Sequence, residues 1–184
     1  MLGAAIAGAG ALAVAAYGGQ TGALACVSGH LAVSLGPPVV PMTGEHADLF
    51  EVANRSSRPC VLDGYPRLSL SHAGERVAFI YHNGGGMYVT RRRPRRITLA
   101  PGHHGYFLVA KYRCDAGDLY AATAIRVVLP APPTRSTTLR LSEPGAGELD
   151  YCKRYPGDQA VDPGNRVNVS PVEASALATR LPVP

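Results

Sequence analysis

Turn-forming residues recur at short intervals along this chain and restrict it to short secondary-structure elements. The 184 residues include 21 Gly and 16 Pro, which is about a fifth of the sequence, and these follow no fixed period. The absence of a period excludes a collagen-like fibre, and no stretch shows a convincing amphipathic helical pattern. Short apolar runs separated by turns are typical of β proteins. We therefore expect an all-β fold, an immunoglobulin-like antiparallel β-sandwich with about nine strands.

The expected strands are the alternating or apolar-rich runs between the turns. They are His30–Leu35, Ala47–Asn54, Arg67–Ser71, Val77–His82, Ile97–Leu99, Tyr106–Arg113, Ala124–Leu129, Thr137–Leu141 and Arg166–Val172. The third and fourth are expected to pair as a hairpin, because Gly74 between them allows the positive φ of a tight turn. The next loop, Asn83–Gly86, is expected to be a flexible hairpin tip, since it lacks the Lys-Ser/Thr that follows a phosphate-binding loop.

A corner of the fold is predicted at Asn54–Pro66, which reads NRSSRPCVLDGYP and places Cys60 between two turns. Cysteines at such corners are well placed for cross-links. Asn54 is expected to bond the turn backbone, Gly64 to take a positive φ, and Tyr65 to pack its ring at the corner beside Pro66. These roles are structural.

The same corner resembles the DUF4232 family of actinobacterial exported proteins. The resemblance extends to Leu99–Gly102, to Cys114 before the next strand, and to Val127–Pro133 with its closing prolines, and it covers about Cys26 to Val172. It implies a secreted or surface-anchored β-sandwich whose biochemical role is unassigned. It therefore carries over no catalytic residue.

The amino-terminal segment has the pattern of an export signal. Met1–Ala16 is uncharged and almost wholly apolar, and Ala23-Leu24-Ala25 fits an A-x-A cleavage site. The run is shorter than the ~20 residues that span a bilayer. We predict a signal peptide at residues 1–25, a domain at 26–172 and a flexible tail at 173–184. The missing Lys or Arg before the apolar run leaves open a translation start further upstream.

Cleavage after Ala25 would make Cys26 the first residue, which introduces a lipoprotein alternative. A lipobox prefers Leu three residues before the cysteine, whereas Ala23 occupies that position here. Lipidation would also leave one of the other cysteines as a free thiol in an oxidising compartment. A disulfide at Cys26 is favoured, and lipidation is kept as the alternative.

Four cysteines after an export signal favour two disulfides over a metal site, and no CxxC or CxxH spacing suggests zinc. If Leu35 lies near Ala47 across a hairpin, Cys26 falls close to Cys60. The flanks of the later strand pair bring Cys114 towards Cys152 by the same argument. These two pairs are the prediction, although four cysteines allow three connectivities.

The densest charge run contains five arginines in six residues, Arg91, Arg92, Arg93, Arg95 and Arg96, interrupted by Pro94. Mutual repulsion requires that this run be exposed. One interpretation is contact with an anionic partner, either an envelope polymer or a protein. The other is a solvated loop that guards an edge strand. Nucleic acid is disfavoured, because no aromatic residues alternate with the arginines.

No cofactor or metal site is expected. His103 and His104 are neighbours in the chain, and in extended backbone they point to opposite faces, which favours a surface turn. A blue-copper site is disfavoured, because no cysteine has a His or Met shortly after it.

The predicted function is an exported cell-envelope binding or interaction module without a catalytic site. The alternatives are a surface lipoprotein, a structural accessory domain without its own ligand and, less favoured, a hydrolase. The chain has no G-x-S-x-G or H-E-x-x-H motif, and its acidic residues are sparse. Localisation is predicted to be secreted or at the cell surface.

Overall fold

A computed structural model describes residues 23–39, 44–113, 119–141, 149–152 and 163–181. Its strands are β1 (Leu24–Ala25), β2 (Leu31–Leu35), β3 (Glu45–Asn54), β4 (Cys60–Leu62), β5 (Arg67–His72), β6 (Glu75–Arg76), β7 (Ile80–Asn83), β8 (Ile97–Leu99), β9 (His104–Tyr112), β10 (Leu119–Ala121), β11 (Ala124–Val128), β12 (Ser136–Arg140), β13 (Asp150–Cys152) and β14 (Arg166–Val169). Three short 3-10 turns lie at Ser28–His30, Pro163–Asn165 and Leu177–Thr179.

The all-β prediction is confirmed. The described residues contain no α-helix, and their strands form a five-stranded sheet (β2-β3-β9-β14-β7), a four-stranded sheet (β12-β11-β5-β6), a three-stranded sheet (β1-β4-β8) and the pair β10-β13. Most neighbours are antiparallel, but β1 runs parallel to β4 and β14 runs parallel to β7. Within the described ranges, no helix is long and apolar enough to cross a membrane.

The main core lies between the five-stranded and four-stranded sheets, with the three-stranded sheet closing one side. Phe50 on β3 and Phe107 on β9 are opposite each other in register, and their rings stack with centroids 4.8 Å apart. Leu70 and Ile125 face them from the four-stranded sheet and are fully buried. Alternation along β3 sends Ala47 and Leu49 to a second cluster on the opposite face.

One expected hairpin is wrong in part. The chain does turn after β5, at Ala73-Gly74. The strand that pairs with β5 is the short β6, which precedes the expected partner Val77–His82. The chain then crosses to the other sheet, where β7 pairs in parallel with β14. Two aromatic residues account for the crossing. Phe79 is buried in the core, and the Tyr81 hydroxyl accepts a hydrogen bond from the Leu70 amide at 2.8 Å, which takes the place of a backbone partner.

The predicted disulfide between Cys26 and Cys60 is confirmed, with Cα atoms 4.8 Å apart. The register assumed for it is wrong by three residues, because Leu35 lies opposite Phe50 instead of Ala47. The cysteines meet for a different reason. β1 runs alongside β4, and the Cys26 amide donates to the Val61 carbonyl at 2.8 Å. The second predicted pair lies outside the described residues, because Cys114 is not among them.

The end of the chain also differs from expectation. Most of the predicted signal peptide lies outside the described residues, but the segment predicted as a flexible tail is described up to Leu181 and is packed. Thr179 is fully buried and its carbonyl accepts the Thr90 amide at 2.9 Å, while the Leu181 amide donates to Tyr88. Backbone pairing to the 88–90 segment holds this part of the chain in place.

The corner at Asn54 is held by the side-chain amide of this residue, which makes hydrogen bonds at both its nitrogen and its oxygen. Its Nδ2 donates to the carbonyl oxygens of Arg58 and Leu99 at 2.8 and 2.9 Å, and its Oδ1 accepts from the Ser56 amide and hydroxyl at 2.9 and 2.8 Å. The residue is fully buried. One side chain therefore connects the end of β3 with the turn before β4 and with the last residue of β8.

We predict that Asn54→Asp destabilises the fold by about 3 kcal/mol, because a buried carboxylate oxygen would replace the Nδ2 donor and face two carbonyl oxygens. Urea denaturation measures the loss. The matched control is Asn83→Asp, which makes the same chemical change at an exposed position on β7. Equal unfolding free energies for the two variants would contradict the role of Asn54.

Replacing both Cys26 and Cys60 by Ala is expected to lower the unfolding free energy by about 4 kcal/mol in the chain-entropy model, since the bridge closes a loop with a sequence separation of 34. Non-reducing urea denaturation of the double variant checks this. A midpoint equal to that of the parent protein would show that the bridge contributes no stability.

Candidate functional site

The arginine segment, Arg91–Arg96, follows Thr90 and runs without regular secondary structure into β8. All five of its arginine side chains are exposed, and Pro94 is half-buried. β8 is an edge strand of the three-stranded sheet. The segment therefore lies at a sheet edge. Contact with an anionic partner and protection of the edge strand are both compatible with this position.

The beginning of the arginine segment is anchored by three hydrogen bonds, two of which connect it to distant parts of the chain. The Thr90 amide donates to the Thr179 carbonyl at 2.9 Å, and the Arg92 amide donates to the Thr90 hydroxyl at 3.3 Å. The Tyr65 hydroxyl donates to the Arg92 carbonyl at 3.3 Å. At the other end, Ile97 pairs with Leu62 on β4. Anchors at both ends reduce the conformational entropy that the backbone would lose when a ligand binds.

The loop before the arginine segment packs against the sheet, in contrast to the flexible tip expected from its glycines. Gly84, Gly85 and Gly86 all have positive φ, and the Gly84 amide donates to the Val169 carbonyl at 2.7 Å. A Cβ on Gly84 would lie 2.9 Å from the Thr90 carbonyl oxygen. Only glycine allows this close approach, which brings the loop next to the residue that starts the arginine segment.

One buried carboxylate lies close to the arginine segment. Glu173 is 6% exposed, and its Oε1 has no hydrogen-bond partner. Burial raises the pKa of Glu173, while the charges of Arg92 and Arg95 oppose that rise. Burial, together with the negative charge of Glu173, also raises the pKa of the Tyr65 phenol. Glu173 is thus the local counter-charge for two of the five arginines.

Arg91, Arg93 and Arg96 make no ion pair within the described part of the chain. The one side-chain hydrogen bond described for them runs from Arg91 Nη2 to the Gly86 carbonyl at 3.4 Å. Exposed guanidinium groups present several N–H donors in a planar fork that suits carboxylate and phosphate oxygens. This arrangement can bind an anion at more than one point.

The predicted corner residues adjoin this face. Gly64 has a φ of +122°, and a Cβ there would lie 3.1 Å from the Pro130 Cβ. Pro66 is buried, and Tyr65 links the corner to the arginine segment through its hydroxyl. Sequence reasoning missed this link and missed Glu173, because a single tyrosine and a single glutamate far apart in the chain carry no pattern.

The paired histidines separate as their neighbouring positions suggest. His103 is exposed in the turn, whereas His104 begins β9 and places Nδ1 2.8 Å from the Glu51 carboxylate. Across the described residues, no group of three His, Cys, Asp or Glu side chains is arranged to hold a metal ion.

We predict that Glu173→Gln raises the unfolding free energy by roughly 1 kcal/mol at neutral pH, because it removes a buried charge with an unpartnered oxygen. The raised pKa means that wild-type Glu173 favours folding below its ordinary pKa of 4.5 and that this contribution is lost as the pH rises through the raised value. The advantage of the variant should therefore disappear under acidic conditions. Thermal unfolding at pH 4 and pH 7 tests this, and an equal difference at both values would contradict it.

Comparison with known proteins assigns the chain to a family by its sequence. Residues 26–173 match the profile of a family described as Domain of unknown function (DUF4232). Searches of curated proteins and of solved structures returned no match. The match spans most of the chain and includes both the corner and the arginine segment, and on this basis the protein belongs to the DUF4232 family.

Proposed function

We propose that this protein is an exported binding module of the cell envelope and that the arginine segment is its contact surface for an anionic polymer. The observation that carries the proposal is the anchored row of five exposed guanidinium groups, of which three have no acidic partner in the described residues. A polymer with repeated phosphate or carboxylate groups would contact several of them at once, which increases affinity without requiring a deep pocket. A protein partner with an acidic surface is the second candidate.

The surroundings of the arginine segment, including the buried Glu173, favour anion binding by the segment over a role limited to protecting an edge strand. A segment that only blocked pairing at an edge strand would need charge and proline but no fixed backbone. Here Tyr65, Thr90 and Thr179 fix the backbone, and Glu173 offsets part of the positive charge from within. The partial offset reduces repulsion among the arginines while their outer faces stay available.

Export is supported by the leader pattern and by the disulfide at Cys26. Cleavage after Ala25 would remove β1, whose two side chains are exposed, with Leu24 77% exposed. Little buried apolar area would be lost. The new α-ammonium group at Cys26 would retain the position from which the amide now donates to the Val61 carbonyl. The disulfide also occupies the sulfur that lipidation would need.

Binding through the arginine segment predicts a specific response to charge removal. Changing Arg91, Arg93 and Arg96 to Gln should weaken binding to polyphosphate and to a polyuronate by at least about tenfold, since each lost charge-assisted hydrogen bond weakens the complex. The control changes Arg67, Arg126 and Arg140, which are exposed on the four-stranded sheet, to Gln. Both variants lose three positive charges, so non-specific attraction falls equally.

Titration calorimetry at two salt concentrations measures both variants against the parent. Stronger binding of polyphosphate than of polyuronate would identify phosphate as the ligand group, and the reverse would identify carboxylate. An equal loss in the two triple variants would mean that only net charge matters, which would overturn the proposed site.

Processing is tested on protein recovered from its native envelope. An intact mass that begins at Cys26, with a non-reduced peptide linking Cys26 and Cys60, is the expected result. A diacylglycerol mass on Cys26 would instead establish the lipoprotein alternative.

A further inference from the structure

A concave site lies on the face of the five-stranded sheet that points away from the main core. It encloses about 400 Å³ and opens between the loop after β7 and the adjoining ends of β3, β9 and β14. Its walls are formed by Glu45, Gly86, Met87, Tyr112, Arg166 and Asn168. None of the five arginines of the proposed anion site lines it.

One residue that lines this pocket has a carboxylate oxygen without a hydrogen-bond partner. Glu45 is 7% exposed, and its Oε2 is buried and makes no hydrogen bond. Burial raises the pKa of Glu45, with the charge of Lys111 opposing the rise. Lys111 Nζ itself donates to the Tyr112 carbonyl at 2.7 Å. A buried acceptor without a donor is unusual in a folded protein, and the ammonium group of a ligand is one donor that would supply the missing hydrogen bond.

The wall beside Glu45 is aromatic. Tyr112 lies opposite Glu45 in register between β3 and β9. A Cβ on Gly44, which has a φ of +85°, would lie 2.8 Å from the Tyr112 ring. The ring is therefore held against a position that only glycine tolerates. A ring next to a carboxylate suits a cation, since both its π-face and the carboxylate attract positive charge.

The opposite wall is formed by the glycine loop. Gly86 approaches so close that a Cβ on it would lie 2.5 Å from Asn168 Nδ2. Met87 follows, is 51% exposed and provides an adaptable apolar surface for methylene groups. Arg166, the first residue of β14, is exposed and adds a positive charge at the pocket.

We propose that this pocket binds a primary ammonium group carried on a short apolar chain, with the nitrogen donating to the Glu45 carboxylate and the chain lying between Tyr112 and Met87. The same chemistry occurs in free zwitterionic amines and in the lysine side chains of peptides. Arg166 distinguishes these two kinds of ligand, because its positive charge favours one that also carries a carboxylate.

Three probes of equal length test the proposal by titration calorimetry. They are 6-aminohexanamide, which carries only the ammonium group, 6-aminohexanoate, which carries both charges, and hexanoate, which carries only the carboxylate. Binding of the two amines and not of hexanoate is the expected result. Tighter binding of 6-aminohexanoate, with the gain lost in Arg166→Gln, identifies a free zwitterion. Equal binding of the two amines identifies an amine displayed on a longer chain.

The decisive variant is Glu45→Gln, which keeps the shape of the side chain and removes its charge. It should weaken the binding of 6-aminohexanamide at least tenfold, whereas Glu75→Gln, the same change at an exposed position on β6, should leave the affinity unchanged. Thermal unfolding of Glu45→Gln should occur at the same temperature as in the parent protein or higher, because a buried unpartnered charge is removed. Lost binding would then not reflect unfolding.

The proposal is overturned if neither amine binds, if hexanoate binds as well as the amines, or if Glu45→Gln retains the parent affinity. These outcomes are independent of the arginine segment, since the triple arginine variant described above should bind 6-aminohexanamide as the parent does.

Discussion

The structure depends on the hydrogen bonds of one buried amide, that of Asn54. Its two ends distinguish donor from acceptor, so the two carbonyl oxygens of Arg58 and Leu99 and the two donors of Ser56 can be satisfied in only one orientation. The turn that follows β3 is thereby positioned over the end of β8, and Cys60 is brought into pairing with Leu99. Cys60 with its disulfide and the end of β8, into which the arginine segment leads, both lie at this corner.

Each of the two proposed sites contains a buried glutamate. Glu45 and Glu173 each retain an oxygen without a partner, and burial raises the pKa of both. We expect each to lower the stability of the fold at neutral pH, since a buried carboxylate oxygen without a hydrogen bond is unfavourable. One glutamate lies close to the arginine segment, and the other lines the pocket beside Tyr112. A buried carboxylate that lowers folding stability is consistent with a role in controlling the charge of a binding surface.

Much of the architecture could be predicted from local patterns. Apolar-rich runs between turn signals identified the long strands to within a few residues, and β3 and β9 are the clearest examples. The corner residues were found because Asn, Gly and Pro have strong local preferences. The exposure of the arginine segment followed from repulsion among neighbouring charges. The partner of β7 could not be predicted, because Phe79 and Tyr81 direct the chain across to the other sheet only when the main core has formed.

The sequence by itself determined the fold class, the place of the corner and the exposure of the arginines, because these follow from preferences of residues close together in the chain. Only the tertiary structure decided what each site contains. Glu45 meets the Met87 loop, and Glu173 meets Tyr65, across long stretches of sequence that no local pattern connects. Strand register and glycine-permitted close approaches bring these side chains together, and both arise from the packing of the whole chain.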